Sequence, residues 1–294
     1  MSDQAERLRS LVAKRSHQPA INTRVITVTS GKGGVGKSNF TLNYALGLTA
    51  QGKKVVVLDA DVGFANIDVL MGIKPKKTLA DLIRREADLW EILETGPNGV
   101  QFIAGGSGFQ ELLEVRTEEY DYLVSQLGQL QGQVDYVLID TGAGLNHQTL
   151  RLLLASDEIL VVVTPEPTAI TDAYALIKTV ANRHPEAKLK LVINRVESAA
   201  EGRETAEKIR LVAERFLDLK LPTLGILPDD PIVSKAVRRQ TPFLLSHPDS
   251  QASRSILKLI QEQLHGERLH DMSKTDGQGH GVKQFLHRMV RLFR

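Results

Sequence analysis

Short runs of β-branched and aliphatic residues recur along the chain at residues 25–29, 55–58, 100–104, 136–139, 159–163, 189–193 and 223–227. Their apolar positions are continuous rather than alternating, which predicts strands buried on both faces. Longer stretches with helical spacing lie between them, residues 39–51 being the first. Strand and helix in alternation predict an α/β fold: a mainly parallel, twisted sheet with helices on both faces. No repeat and no interdomain linker interrupts residues 24–264, so one domain is expected there, with a helical extension at each end.

Residues 1–23 are short and polar, with a helical face at Ala5, Leu8 and Val12. Residues 265–281 end in Asp276-Gly277-Gln278-Gly279-His280-Gly281, a flexible linker by composition. The last segment, 282–294, is amphipathic. Val282, Phe285, Leu286, Met289, Val290 and Phe293 follow the spacing i, i+3, i+4, i+7, i+8, i+11, with Lys283, Arg288, Arg291 and Arg294 mostly opposite and no acid among them. A short basic amphipathic helix after a linker reads as a membrane-surface element, with docking on the protein's own domain as the competing reading.

Composition narrows the class. With 42% hydrophobic and 24% charged residues in 294, the chain has ample apolar area for a packed core. It contains no cysteine, which excludes a disulfide scaffold, thiolate-held zinc or iron–sulfur, and a cysteine nucleophile. The apolar runs fall far short of the ~20 residues that span a bilayer. Acids at Asp3 and Glu6 and no apolar stretch beside them argue against a signal peptide, so a cytoplasmic protein is expected. The net charge of +2 gives no case for a nucleic-acid partner.

Gly31-Lys32-Gly33-Gly34-Val35-Gly36-Lys37-Ser38 fits G-x-x-x-x-G-K-[ST], following one predicted strand and opening one predicted helix. Glycines let backbone N–H groups turn inward on phosphate oxygens, and the helix N-terminus adds positive potential. Lys37 is placed to reach β- and γ-phosphates and Ser38 to offer its hydroxyl to Mg²⁺. Asp140 ends the apolar run 136–139, where it would hold a water on Mg²⁺, and Gly144 N–H could sense a γ-phosphate.

The second lysine of the loop, Lys32, makes it resemble the deviant Walker A ATPases, the MinD/ParA family. Asp59-Ala60-Asp61-Val62-Gly63-Phe64-Ala65-Asn66-Ile67-Asp68 is similar to that family's D-x-D-x-G-x-x-N-x-D segment. The resemblance implies ATP or ADP with Mg²⁺ as ligands and an ATP-dependent homodimer. It makes Lys32 the lysine that reaches the partner's nucleotide, Asp61 the residue orienting the attacking water, and Asp59 part of the metal's surroundings. Asn66 and Glu166 fall near the dimer interface. Asn194 reads the adenine edge and Pro228-Asp229-Asp230 packs on adenine, with Asn39 and Arg195 in the same nucleotide set.

Two departures point to the flagellar, FlhG-type branch. Asp140-Thr141-Gly142-Ala143-Gly144 has glycine where division-site members have proline, and Asp3-Gln4-Ala5-Glu6-Arg7-Leu8-Arg9 resembles the branch's D-Q-A-x-x-L-R element. That element implies stimulation of an FlhF-like, signal-recognition-type GTPase through Asp3, Gln4, Ala5, Leu8 and Arg9. The branch also implies control of flagellar number or placement, contact with flagellar C-ring components, and reversible association with the inner face of the cell membrane. A DNA-partitioning ParA-type ATPase and a MinD-type division regulator are the alternatives.

Overall fold

The computed structural model describes residues 22–61, 66–106, 108, 111, 117–273 and 281–292. Asp3, Gln4, Ala5, Leu8 and Arg9 lie outside the described residues, as do Phe293 and the side chain of Val290.

In chain order the elements are β1 (Arg24–Thr29), α1 (Lys37–Ala50), β2 (Val55–Ala60), α2 (Ile67–Met71), α3 (Leu79–Ile83), α4 (Leu89–Ile92), β3 (Glu94–Thr95) and β4 (Gln101–Ile103). Then follow α5 (Thr117–Leu127), a short 3₁₀ turn (Gly128–Leu130), β5 (Tyr136–Thr141), α6 (His147–Ala155), β6 (Glu158–Val163), α7 (Pro167–Arg183) and β7 (Leu189–Val196). The rest is α8 (Ala199–Leu217), β8 (Thr223–Pro228), α9 (Pro231–Arg238), α10 (Phe243–Ser246), α11 (Gln251–Ser273) and α12 (Val282–Arg291). The strands form one eight-stranded sheet in the order β3-β4-β2-β5-β1-β6-β7-β8. Every pairing is parallel except the short β3–β4 edge. The expected strands and sheet are therefore present.

The pleat divides the core into two layers. Ile26, Val28, Val55, Val57 and Leu138 point to a face covered by α1, α7, α8 and α11. Val25, Val56, Leu58, Val137 and Ile139 point to the other, under α3, α4 and α5. Alternation on strands buried from both sides gives this division directly.

The second layer contains a departure from the sequence reading. Of the expected lipid-facing set, Val282, Phe285, Leu286 and Met289 are each at most 4% exposed and belong to this core. α3 and α4 are single short turns, so this face of β1, β2 and β5 needs further apolar cover, and α12 supplies it beside α5 and α6. The Arg288 guanidinium closes the contact on Asp157 Oδ1 at 2.6 Å. The helical period is as expected, and in this structure the apolar face packs on the chain's own domain, the competing reading given above. Among the described residues no helix is long and apolar enough to cross a membrane.

Candidate nucleotide site

The site lies at the carboxyl ends of β1, β2, β5 and β7, where open α/β sheets bind ligands. The loop between β1 and α1 turns on Gly34 (φ 79°) and Gly36 (φ 88°), both left-handed and open to glycine without strain. A Cβ on Gly31 would lie 2.3 Å from the backbone of Asp172 in α7, so only glycine lets the loop approach that helix.

Lys37 begins α1 and is 7% exposed. Its Nζ donates to Asp140 Oδ1 at 2.9 Å and lies 3.3 Å from Ser38 Oγ. Thr41, one helical turn on, donates from Oγ1 to the same Asp140 oxygen at 2.9 Å. Asp140 is fully buried, and its Oδ2 has no hydrogen-bond partner. A buried carboxylate oxygen left open beside a loop hydroxyl fits a divalent cation held through water, as Mg²⁺ is commonly bound. Among the described residues no group of three or more His, Cys, Asp or Glu could hold a metal ion by itself.

Asp59 and Asp140 are register partners on β2 and β5. Asp59 Oδ1 accepts from Asp61 N at 3.1 Å, and Oδ2 from Asn66 N at 3.0 Å and Ile67 N at 3.2 Å. Its carboxylate thus anchors both ends of the segment 61–67. Burial, reinforced by the charge of Asp140, pushes its pKa up to about 6. Asp61 accepts from Asn66 Nδ2 at 2.9 Å. Burial raises its pKa, opposed by the Lys37 charge. A Cβ on Gly142 would stand 3.0 Å from Asp61 Oδ1, so glycine there gives the carboxylate room.

Lys32 lies on the opposite rim. Its Nζ donates to Glu166 Oε2 and Thr168 Oγ1, each at 2.8 Å. This hydrogen bond holds the Glu166 carboxyl below its usual range. Two expected roles meet competition in this structure. Gly144 N–H already donates to Ser30 O at 2.9 Å, which closes the β5 turn onto the loop, so that amide is not free for phosphate. Asp230 caps α9 through Ile232 N at 3.0 Å and takes Ala252 N at 3.2 Å, so its carboxylate is committed to holding α9 and α11.

Beyond the loop lies a cavity of about 410 Å³, lined by Gly34, Gly36, Asn39, Asn194, Arg195, Pro228, Asp229 and Asp230 and floored by Phe40, Leu227, Val233 and Ile256. Apolar side chains floor it, and polar groups from the loop, β7 and the turn after β8 rim it, an arrangement suited to a base. Asn194 Nδ2 donates to Val35 O at 2.7 Å, which ties β7 to the loop. Arg195, left-handed at φ 58°, pairs with Asp229 at 3.4 Å on the rim. Sequence reading thus placed eight residues that line this cavity together. It missed Thr41 and Thr168. The four-residue offset of Thr41 from Lys37 was the available signal for the first; nothing local marked the second.

The model of the ParA family, described as NUBPL iron-transfer P-loop NTPase, matches residues 22–264. The antiactivator FleN of Pseudomonas aeruginosa is 39% identical over 239 residues, covering 81% of this chain and 85% of that protein. The chain belongs to the MinD/ParA family of P-loop ATPases. The flagellum site-determining protein YlxH of Helicobacter pylori is also 39% identical, over 263 residues, covering 87% of this chain and 88% of its own. The septum site-determining protein MinD of Pyrococcus horikoshii, solved with Mg-ADP, superposes with a TM-score of 0.67 at 22% identity, over 86% of this chain and all of that one, and bears on the fold alone. Iron transfer through thiolates is not open to this MinD/ParA chain, which has no cysteine.

Proposed function

We propose that this MinD/ParA ATPase couples ATP binding and hydrolysis to a monomer–dimer switch that sets flagellar number or placement. The observation that carries the reading is the Lys37–Asp140–Thr41 cluster beside a base-sized cavity, with the second loop lysine, Lys32, on the rim. One relative is named a flagellum site-determining protein, and both it and the antiactivator FleN align over most of their length.

In this reading the loop amides and Lys37 hold the triphosphate, and Ser38 and Asp140 hold Mg²⁺. Bound there, Mg²⁺ neutralises charge on the β- and γ-phosphate oxygens. Asp61 orients a water and takes its proton as that oxygen bonds to the γ-phosphorus and the bond to ADP breaks. Asn66 fixes which carboxylate oxygen of Asp61 faces the water. Lys32 leaves Glu166 and stabilises transition-state charge on the partner's nucleotide, so hydrolysis requires the dimer. Asn194, its amide nitrogen held by Val35, offers Oδ1 to the adenine amino group.

The finer assignments extend the family resemblance. The segment with Asp3, Gln4, Ala5, Leu8 and Arg9 stimulates an FlhF-like GTPase, Gln4 helping to position water. The ATP dimer binds flagellar C-ring components and an anionic membrane through α12. The decisive experiment is light scattering with ATP. Asp61→Ala accumulates as an ATP-bound dimer with negligible phosphate release, and a strictly monomeric Asp61→Ala at saturating ATP would overturn the switch. For the N-terminal segment, a peptide of residues 1–23 accelerates the partner GTPase and Gln4→Ala abolishes most of the effect.

A further inference from the structure

α12 buries one face and displays another. With Val282, Phe285, Leu286 and Met289 turned into the core, Lys283, Gln284, His287 and Arg291 are exposed. Lys283, His287 and Arg291 stand at i, i+4 and i+8, one line along the helix. No acidic residue occurs from Gly277 to the end of the sequence. Arg288 does not join this line, because its guanidinium is spent on Asp157.

The stripe has an amphipathic neighbour. The Lys283 side chain packs along the 3₁₀ turn, its Cγ 3.3 Å from where a Cβ would stand on Gly128. From the far side of that turn Trp90 Nε1 donates to Gln129 Oε1 at 3.1 Å, while Trp90 remains 52% exposed. Of the acids beside this indole, Glu91 is paired with Lys77 at 2.9 Å, and Asp88 caps α4, its Oδ1 accepting from Trp90 N at 2.8 Å. An exposed indole beside a basic line is the composition that settles at the headgroup level of a bilayer.

We infer that the docked form of α12 is itself a membrane-facing surface: Lys283, His287 and Arg291, flanked by Trp90, rest on anionic lipid while Phe285 and Met289 are still buried in the domain. The inference rests on the membrane reading above but assigns the first contact to the opposite face of the helix. Adsorption through this face needs no nucleotide and no undocking. Each Lys or Arg at an anionic surface adds about fivefold to partitioning, and salt screens that gain. The contact is therefore weak, reversible and lipid-charge-selective. It holds the helix parallel to the bilayer, so that release of the apolar face begins at the membrane.

Trp90 is the only tryptophan in the chain, so its fluorescence reports on this surface alone. The full chain without nucleotide is mixed with vesicles of phosphatidylcholine containing phosphatidylserine, with and without bromine-labelled acyl chains, and with pure phosphatidylcholine vesicles. Trp90 emission is quenched on the anionic vesicles only, quenching fades as salt rises, and the double variant Lys283→Glu/Arg291→Glu lowers partitioning at least tenfold. Unquenched Trp90 on sedimenting protein, equal binding to neutral vesicles, or an unaffected double variant would each overturn the inference. Equal binding of the exposed stripe to duplex DNA would replace lipid by a general polyanion and overturn it too. Parallel samples with a non-hydrolysable ATP analogue separate the two readings. Binding only with the analogue defeats docked adsorption and leaves the nucleotide switch standing; nucleotide-free binding with no gain from the analogue does the reverse.

Discussion

Lys32 Nζ and Glu166 Oε2 of the same protomer are 2.8 Å apart, with Thr168 Oγ1 equally close on the other side. The lysine assigned to the partner's nucleotide is thus occupied at home. Both side chains are exposed, so the pair is a soft latch rather than a stabilising bond. Glu166→Gln should leave the melting temperature unchanged and shift the ATP-analogue dimer to severalfold lower protein concentration by light scattering. The carboxyl of Glu166 is held below its usual range, so the latch persists above that range and is lost only as pH falls through its lowered pKa. A dimerisation midpoint that does not move would show that the latch has no bearing on assembly.

The buried pair beneath the loop behaves differently. Lys37 is the cation set against Asp140, whose second oxygen has no partner. Lys37→Gln should abolish productive nucleotide binding and also lower nucleotide-free stability by about 3–5 kcal/mol, because a buried charge loses its partner. Adding Asp140→Asn to Lys37→Gln should restore most of that stability but none of the nucleotide binding. Urea unfolding and nucleotide titration of the single and double variants distinguish the two effects.

Asp59 gives a pH signature. Its folded pKa of about 6 lies above the ordinary carboxylate value, so its contribution to stability is full below about pH 4 and is lost as pH rises through 6. The span is at most about 3 kcal/mol, since each tenfold change in proton affinity is worth about 1.4 kcal/mol. Asp59→Asn should flatten this part of the stability curve in denaturant titrations between pH 4 and 7. It should also loosen the segment it anchors, since one amide oxygen cannot accept from Asp61, Asn66 and Ile67 together. An Asp59→Asn curve parallel to that of the parent would reject the assignment.

The sheet and the loop were legible because they follow from local chemistry. A continuous apolar run is a strand covered twice, and Gly34, Gly36 and Lys37 each do what their own backbone or side chain requires. The convergence of Asn194 and Pro228 on the loop follows equally, since both lie toward the carboxyl ends of neighbouring strands of the same parallel sheet. What was hidden depends on long-range partners. Glu166 is 134 residues from Lys32, and Arg288 is 131 from Asp157. The periodicity of α12 fixes which face is apolar but is silent on what covers it. The covering surface comes from shortness elsewhere: α3 and α4 are too small to cover β2 and β5. Likewise Asp230, a nucleotide residue by motif, lines the cavity and also caps α9, a second role set by its place before Pro231.

The docking of α12 leads to a prediction about gating. Phe285 is 4% exposed between α5 and α6, and replacing such a side chain by alanine in a core costs about 3–5 kcal/mol. At a terminal helix that loss falls on docking rather than on the sheet, because local opening is drawn from the least connected elements. Phe285→Ala should therefore leave the main unfolding transition nearly unchanged and expose residues 282–291 to hydrogen exchange and proteolysis. In the parent chain at physiological salt, anionic vesicles should sediment more protein with a non-hydrolysable ATP analogue than with ADP, two released helices on one dimer binding together at high effective concentration. Phe285→Glu opposes both homes of the helix, the apolar groove and the bilayer, so the increment between nucleotides should vanish. Asp157→Asn keeps the apolar face but gives up the Arg288 ion pair. It should raise sedimentation with ADP toward the level seen with the analogue. If Asp157→Asn leaves the ADP level where it was while Phe285→Ala raises it, apolar burial alone holds the helix and the ion pair contributes nothing to the gate.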